Sequence, residues 1–121
     1  MNKSEWSKRI KRAANEAGTY KPVFDDVIDT LAGILEQRDN LQAEFDTAGG
    51  SAIVYHTNKG GSTNPTKNPA VVLINDLNKT ALAYWRDLGL TPAGLKRLAD
   101  NAINVKSDPA TLGDVLKNIG I

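Results

Sequence analysis

Basic side chains at helical spacing near the start of the chain are the residues best suited to a chemical role. Lys8, Lys11 and Arg12 lie away from Trp6 and Ile10, which fall on the apolar face of a predicted helix. Exposed lysine and arginine suit phosphate groups, and such contacts give affinity for nucleic acid without choosing a sequence. The competing interpretation is a solvated helix face that pairs with acidic residues of the same chain or a neighbouring chain. The residues alone leave both interpretations open.

A second basic candidate is Lys96 and Arg97, which follow a predicted helix start at Thr91. That helix and another beginning near Asp108 could mimic a helix-turn-helix, but the connection over 102–107 is longer than the usual turn of that motif. We therefore do not favour a helix-turn-helix. The full set of predicted DNA-contacting residues is Lys3, Lys8, Arg9, Lys11, Arg12, Lys96 and Arg97.

Other residue types give no support for catalysis. His56 is the sole histidine, without a nucleophile or second metal ligand at a recognisable spacing, so we predict a half-exposed strand residue. The passage 60–67 contains glycines but lacks the Gly-Lys-Ser/Thr order of a phosphate-binding loop, which favours a flexible loop. Asp25, Asp26 and Asp29 are explained by the preference of a helix start for negative charge. The sequence predicts no enzyme, no cofactor and no metal site.

The elements that position these residues are predicted to be mainly α-helical within a single domain over 1–121. They are a basic N-terminal helix (1–21), a long acidic helix (22–47), a β-arm or loop (51–68), a helical pair (69–104) and a short C-terminal helix (108–119). In the first helix, Ser4 is the expected cap and Gly18 the expected end. Asn68 is the expected cap of the third helix and Gly89 its expected end, and Thr91 is the expected cap of the fourth.

Apolar residues of helices two and three recur at alternating steps of four and three, which predicts two packed seams. The seam positions are Val27, Leu31, Ile34, Leu41 and Phe45, with Arg38 among them, and Ala70, Ile74, Leu77, Ala81, Tyr84 and Leu88. We interpret them as the two sides of an antiparallel helical hairpin within one chain, in preference to an interface that the same faces would form between the subunits of a ring.

The segment between these helices has strand and turn character. Ile53, Val54 and Tyr55 prefer strands, and 58–61 has turn composition, so a short β-hairpin or extended arm is predicted. The stretch 62–68 contains prolines and is predicted to be a loop.

Composition and charge limit the possible classes of protein. The chain has 121 residues, 40% of them hydrophobic and none of them cysteine, which excludes disulfides and thiolate metal sites. Neither a signal peptide nor an apolar window long enough for a membrane span is evident, which predicts a cytosolic protein without a membrane partner.

The net charge of +1 conceals a strong division along the chain. Residues 1–21 carry six basic and two acidic side chains. Residues 22–48 carry one basic and seven acidic side chains, and residues 49–106 carry seven basic and three acidic ones. The segments therefore have net charges of +4, −6 and +4. Unlike patches of this kind offer one way for neighbouring subunits to meet and close a ring.

One stretch of the chain resembles a known family. Its parts, in order, are Asn68-Pro69, an apolar helix holding Ala81 and Trp85, and Leu88-Gly89-Leu90-Thr91-Pro92. This arrangement resembles the C-terminal signature of the phage terminase small subunits of cohesive-end tailed phages, and the likeness covers most of 4–98. One departure is Leu95, because the family usually has an arginine three residues after the proline.

The resemblance implies a mostly helical subunit that forms a homo-oligomeric ring, binds double-stranded phage DNA and delivers it to the large terminase subunit, which holds the ATPase and nuclease. It also implies action in the host cytoplasm, and an HNH endonuclease is a further candidate partner because members are commonly encoded near one. The alternatives are a small helical DNA-binding regulator and a structural adaptor of phage origin. A regulator would normally be a dimer, and an adaptor would show no salt-sensitive DNA binding.

Overall fold

The computed structural model describes the backbone of residues 1–106 and the side chains of residues 1–101. The elements are α1 (Lys3–Ala17), a 3-10 turn (Pro22–Phe24), α2 (Asp25–Thr47), β1 (Ile53–Thr57), β2 (Thr63–Lys67), α3 (Pro69–Asp87) and α4 (Pro92–Lys106). The fold is mainly helical, with an antiparallel two-stranded hairpin between α2 and α3, as predicted. The helix predicted over 108–119 lies outside the described residues.

The cap of helix α1 is Asn2, two residues before the expected Ser4. The Asn2 side chain accepts a hydrogen bond of 2.8 Å from the backbone N–H of Glu5, whereas Ser4 already lies within the first turn. The prediction of Ser4 as the cap is therefore wrong. Gly18 ends the helix as predicted, with a φ of 74° that favours glycine.

Helix α2 is central and packs against both α1 and α3. Its side toward α3 carries the predicted seam, and Leu31, Ile74, Ala81 and Leu88 are buried. The intrachain helical hairpin is therefore confirmed. The seam did not identify Ile28, Ala32 and Leu35 of α2, which are fully buried together with Ile10 and Ala14 of α1. A helix between two partners buries two apolar stripes, and a single repeat describes only one of them.

The hairpin corrects the prediction of a loop over 62–68, because Thr63–Lys67 forms β2 and pairs with β1. Pro65 lies opposite Tyr55. In a two-stranded sheet every strand is an edge, where proline is tolerated because its missing N–H can face solvent. His56 lies in a strand, as predicted, and its side chain is exposed.

The joint between α3 and α4 forms as the sequence predicts. Gly89 has a φ of 71°, and the N–H of Leu90 donates to the carbonyl oxygen of Trp85 at 2.8 Å. The Thr91 hydroxyl then caps α4 by accepting a hydrogen bond of 3.0 Å from the N–H of Gly94. Helix α4 continues to Lys106, so residues 102–106 are helical and the prediction of a connection there is wrong. No glycine or proline stands between Leu95 and Lys106 to stop it.

Candidate nucleic-acid interface

The outer face of α1 carries two exposed cations one helical turn apart. Ile10 and Ala14 are buried against α2, and this orientation turns Lys8 and Arg12 toward solvent. In the part of the chain with described side chains, neither cation has an ion-pair partner. Their charge is therefore available to a phosphate.

Two other predicted contact residues of α1 are engaged by the acidic helix of the same chain. The Lys3 Nζ lies 3.1 Å from the Asp29 carboxylate, and the Lys11 Nζ lies 3.6 Å from the Asp25 carboxylate. Lys3 and Lys11 therefore fit the competing interpretation, in which the basic face of α1 pairs with acidic residues of α2. Asp25 and Asp29 pair with lysines of their own subunit, which leaves less acidic charge on α2 for pairing with a neighbouring subunit.

Arg9 belongs to a cluster built around Trp6. The guanidinium carbons of Arg9 and Arg38 lie 5.4 and 5.5 Å from the centroid of the Trp6 ring, within the range of cation-π attraction. The Trp6 Nε1 donates to Asp39 at 2.7 Å, and the Arg38 Nη2 donates to the same carboxylate at 2.9 Å. Arg38 also reaches the Asn78 side chain of α3 at 3.3 Å, so the cluster ties α1, α2 and α3 together.

Asp39 is the acceptor at the centre of this cluster, and its pKa is below the ordinary aspartate value. Partial burial acts in the opposite direction and would raise the pKa. Hydrogen bonds from Trp6, Arg38 and the Met1 amino group outweigh burial because they stabilise the charged form. At the other end of α1, a hydrogen bond to Asp25 raises the pKa of Tyr20.

We expect Asp39→Asn to lower the free energy of unfolding by about 1 kcal/mol at about pH 7, because it weakens the four hydrogen bonds that this partly exposed carboxylate accepts. The folded pKa is depressed, so this contribution is present above the unfolded pKa of about 4 and is lost as pH falls through the folded value. Urea unfolding across pH should therefore show wild type and variant converging in acid. A difference that stays constant below about pH 3 would contradict this assignment.

The second basic candidate also contains one cation that is paired with an acid and one that is not. Arg97 lies 3.3 Å from Asp87, whereas Lys96 is exposed and has no ion-pair partner among the described side chains. Leu95, in the place of the arginine usual in the resembled family, is 43% exposed. Helix α4 reaches the end of α1 through Leu98, which lines a cleft of about 310 Å³ together with Thr19.

The structure thus separates the seven predicted contact residues by availability. Lys8, Arg12 and Lys96 are unpaired among the described side chains, Lys3, Lys11 and Arg97 are paired with acids, and Arg9 is stacked on an indole. Sequence reasoning missed the Trp6, Arg38 and Asp39 cluster. The available signal was an arginine at a seam position, which indicates a buried or stacked polar partner.

Two further features bear on the kind of site. Among residues 1–101, no three histidine or acidic side chains come together as metal ligands. The helices that the structure describes are all too short or too polar to cross a bilayer.

Comparison with known proteins gives one match. A family model described as phage terminase, small subunit, matches residues 3–104, from the first residue of α1 to within two residues of the end of α4. Neither the curated proteins nor the solved structures yield a match to the chain.

Proposed function

Because the chain belongs to the phage terminase small-subunit family, whose role is in phage DNA packaging, we propose that it binds double-stranded phage DNA as a homo-oligomeric ring and delivers that DNA to the large terminase subunit. The observation that carries the proposal is the extent of the match. Residues 3–104 contain all four helices nearly complete together with the β-hairpin, so the likeness involves the whole described fold.

The exposed cations supply a physical mechanism for holding DNA. Lys8 and Arg12 of one subunit offer two phosphate contacts, which bind weakly and without sequence choice. A ring repeats this pair in every subunit, and linked weak contacts add to a strong overall affinity. Lys96 of α4 would add a contact where the DNA path reaches that helix. Such a surface would retain DNA and still permit movement along it.

A subunit that delivers DNA leaves the chemical steps of packaging to another protein. We infer that the small subunit itself is not an enzyme, needs no cofactor, and works in the host cytoplasm beside the large subunit, which would hydrolyse ATP and cut DNA. An HNH endonuclease is a further proposed partner. Electrostatic attraction for the DNA and a separate surface for the large subunit are the two properties that this role requires.

Native mass spectrometry at micromolar protein concentration tests the proposed ring. We expect one closed oligomer larger than a dimer, because the unlike charged segments of the chain suit head-to-tail contacts that close into a ring. A dimer would instead favour the DNA-binding regulator, and a monomer would favour the structural adaptor. Either of those two masses would contradict the proposed function.

A further inference from the structure

We propose that the β-arm of one subunit, residues 53–67, docks into a groove between α2 and α3 of the next copy of the chain. This inference rests on the proposed ring and names the two surfaces that would form it. The groove is lined by Gln37, Asn40, Leu41, Glu44, Leu73 and Leu77.

The β-arm presents apolar side chains that are exposed in its own subunit. Strand pairing places Ile53, Tyr55 and Pro65 on one side of the hairpin. Ile53 is 45% exposed and Tyr55 is 72% exposed, and every other residue of the two strands is exposed as well. An isolated two-stranded hairpin is at best marginally stable in water, so a partner surface would stabilise this one.

The groove is lined by both apolar and polar side chains. Leu41, Leu73 and Leu77 supply the apolar part, and Leu73 is 52% exposed. Its volume of about 360 Å³ has room for an aromatic side chain with an aliphatic neighbour. Gln37 and Asn40 in the lining can accept the hydroxyl hydrogen of a tyrosine whose ring lies on the leucines. Tyr55 and Ile53 match this combination.

Charge is complementary between the two surfaces. No acidic residue occurs between Asp46 and Asp76, and the β-arm itself carries Lys59 and Lys67. Helix α2 is strongly acidic and places Glu44 in the groove lining. Because Lys67 pairs directly opposite Ile53, it shares the face of Tyr55 and would come close to the Glu44 carboxylate on docking.

The geometry of the arm's base favours a second copy over the arm's own subunit. The backbone N–H of Asn68 donates to Ala52 at 2.9 Å, and the Asn68 side chain donates to Ser51 at 2.9 Å. These bonds hold the two ends of the hairpin at the start of α3 while Tyr55 stays exposed. Since arm and groove are different surfaces, their contact is head-to-tail, which is the kind that generates a ring.

A protein partner fits the arm better than DNA does. The face with Ile53, Tyr55 and Pro65 carries three apolar side chains and a single lysine, and the arm has only two lysines and no arginine. Interfaces between proteins are enriched in aromatic residues at their centres, whereas DNA contacts depend mainly on cations.

Cysteine cross-linking tests this contact without background, because the natural chain has no cysteine. Two differently tagged chains, one with Tyr55→Cys and one with Leu73→Cys, are mixed, allowed to exchange subunits and treated with a short bismaleimide. We expect a cross-linked dimer that contains both tags, and a ladder of higher species from the double variant. A matched control pairs Tyr55→Cys with Lys79→Cys, an exposed α3 position that is not part of the groove, and should give at most about a tenth of the product.

The outcomes distinguish a failure of the docking contact from a failure of the proposed function. A ring by native mass without 55-to-73 cross-linking would overturn the docking and leave the function standing. Cross-linking within one chain, or only between two copies of the Tyr55→Cys chain, would also overturn it. Protection of the Tyr55→Cys thiol from maleimide by double-stranded DNA, without cross-linking, would make the arm a DNA contact and overturn the proposal.

Discussion

Replacing Gly94 with alanine should lower the free energy of unfolding by about 1–3 kcal/mol, because the added methyl group has no space. A Cβ at Gly94 would overlap the carbonyl oxygen of Arg86 and lie 3.0 Å from the Thr91 hydroxyl. The obstacle is backbone, so a change of side-chain rotamer cannot relieve it. The capping bond from Gly94 to Thr91 would be strained at the same time, and α4 would be displaced from the end of α3.

Gly33→Ala is the matched control for this prediction. Gly33 lies inside α2, and its added Cβ would meet only the flexible Lys3 side chain, at 3.8 Å. Alanine should therefore raise the free energy of unfolding by about 0.5–1 kcal/mol through its better helix propensity. Urea unfolding followed by circular dichroism should show shifts of opposite sign. Stabilisation by Gly94→Ala would show that α4 is not packed closely against α3.

The helices were predictable because their signals are local. The cap at Asn68, the stop at Gly89 and the cap at Thr91 depend on residues close in sequence, and all three form as expected. Strand β2 was missed because its proline and polar residues indicate a loop, and only pairing with β1 makes it a strand. The buried Ile28 was missed because it packs against α1, a second partner that one seam does not reveal.

The residues of the candidate site could be predicted from the sequence. Which of them are free of acidic partners could not. The sequence identified the basic residues of α1, yet Lys8 and Lys11 look equivalent in it. Only the register between α1 and α2 places Lys11 beside Asp25 and leaves Lys8 facing solvent. Pairing of this kind depends on tertiary packing, so it lies beyond any pattern along the chain.

The double substitution Lys8→Gln and Arg12→Gln should weaken binding to double-stranded DNA by about tenfold to a hundredfold at about 100 mM salt. It removes two exposed phosphate contacts from every subunit that touches the DNA. Both positions are exposed on α1, so the helical content should not change. The matched control, Lys3→Gln with Lys11→Gln, removes the same formal charge from residues already paired with Asp29 and Asp25. We expect the control to lose less than about threefold.

The salt dependence of DNA affinity for these three proteins is the most direct test of a DNA-binding surface on α1. Each lost phosphate contact should reduce the log–log slope by about 0.9, so the Lys8 and Arg12 variant should have a distinctly shallower slope than wild type. The Lys3 and Lys11 variant should keep nearly the wild-type slope. Equal slopes for the two variants, or wild-type binding that does not respond to salt, would contradict the account.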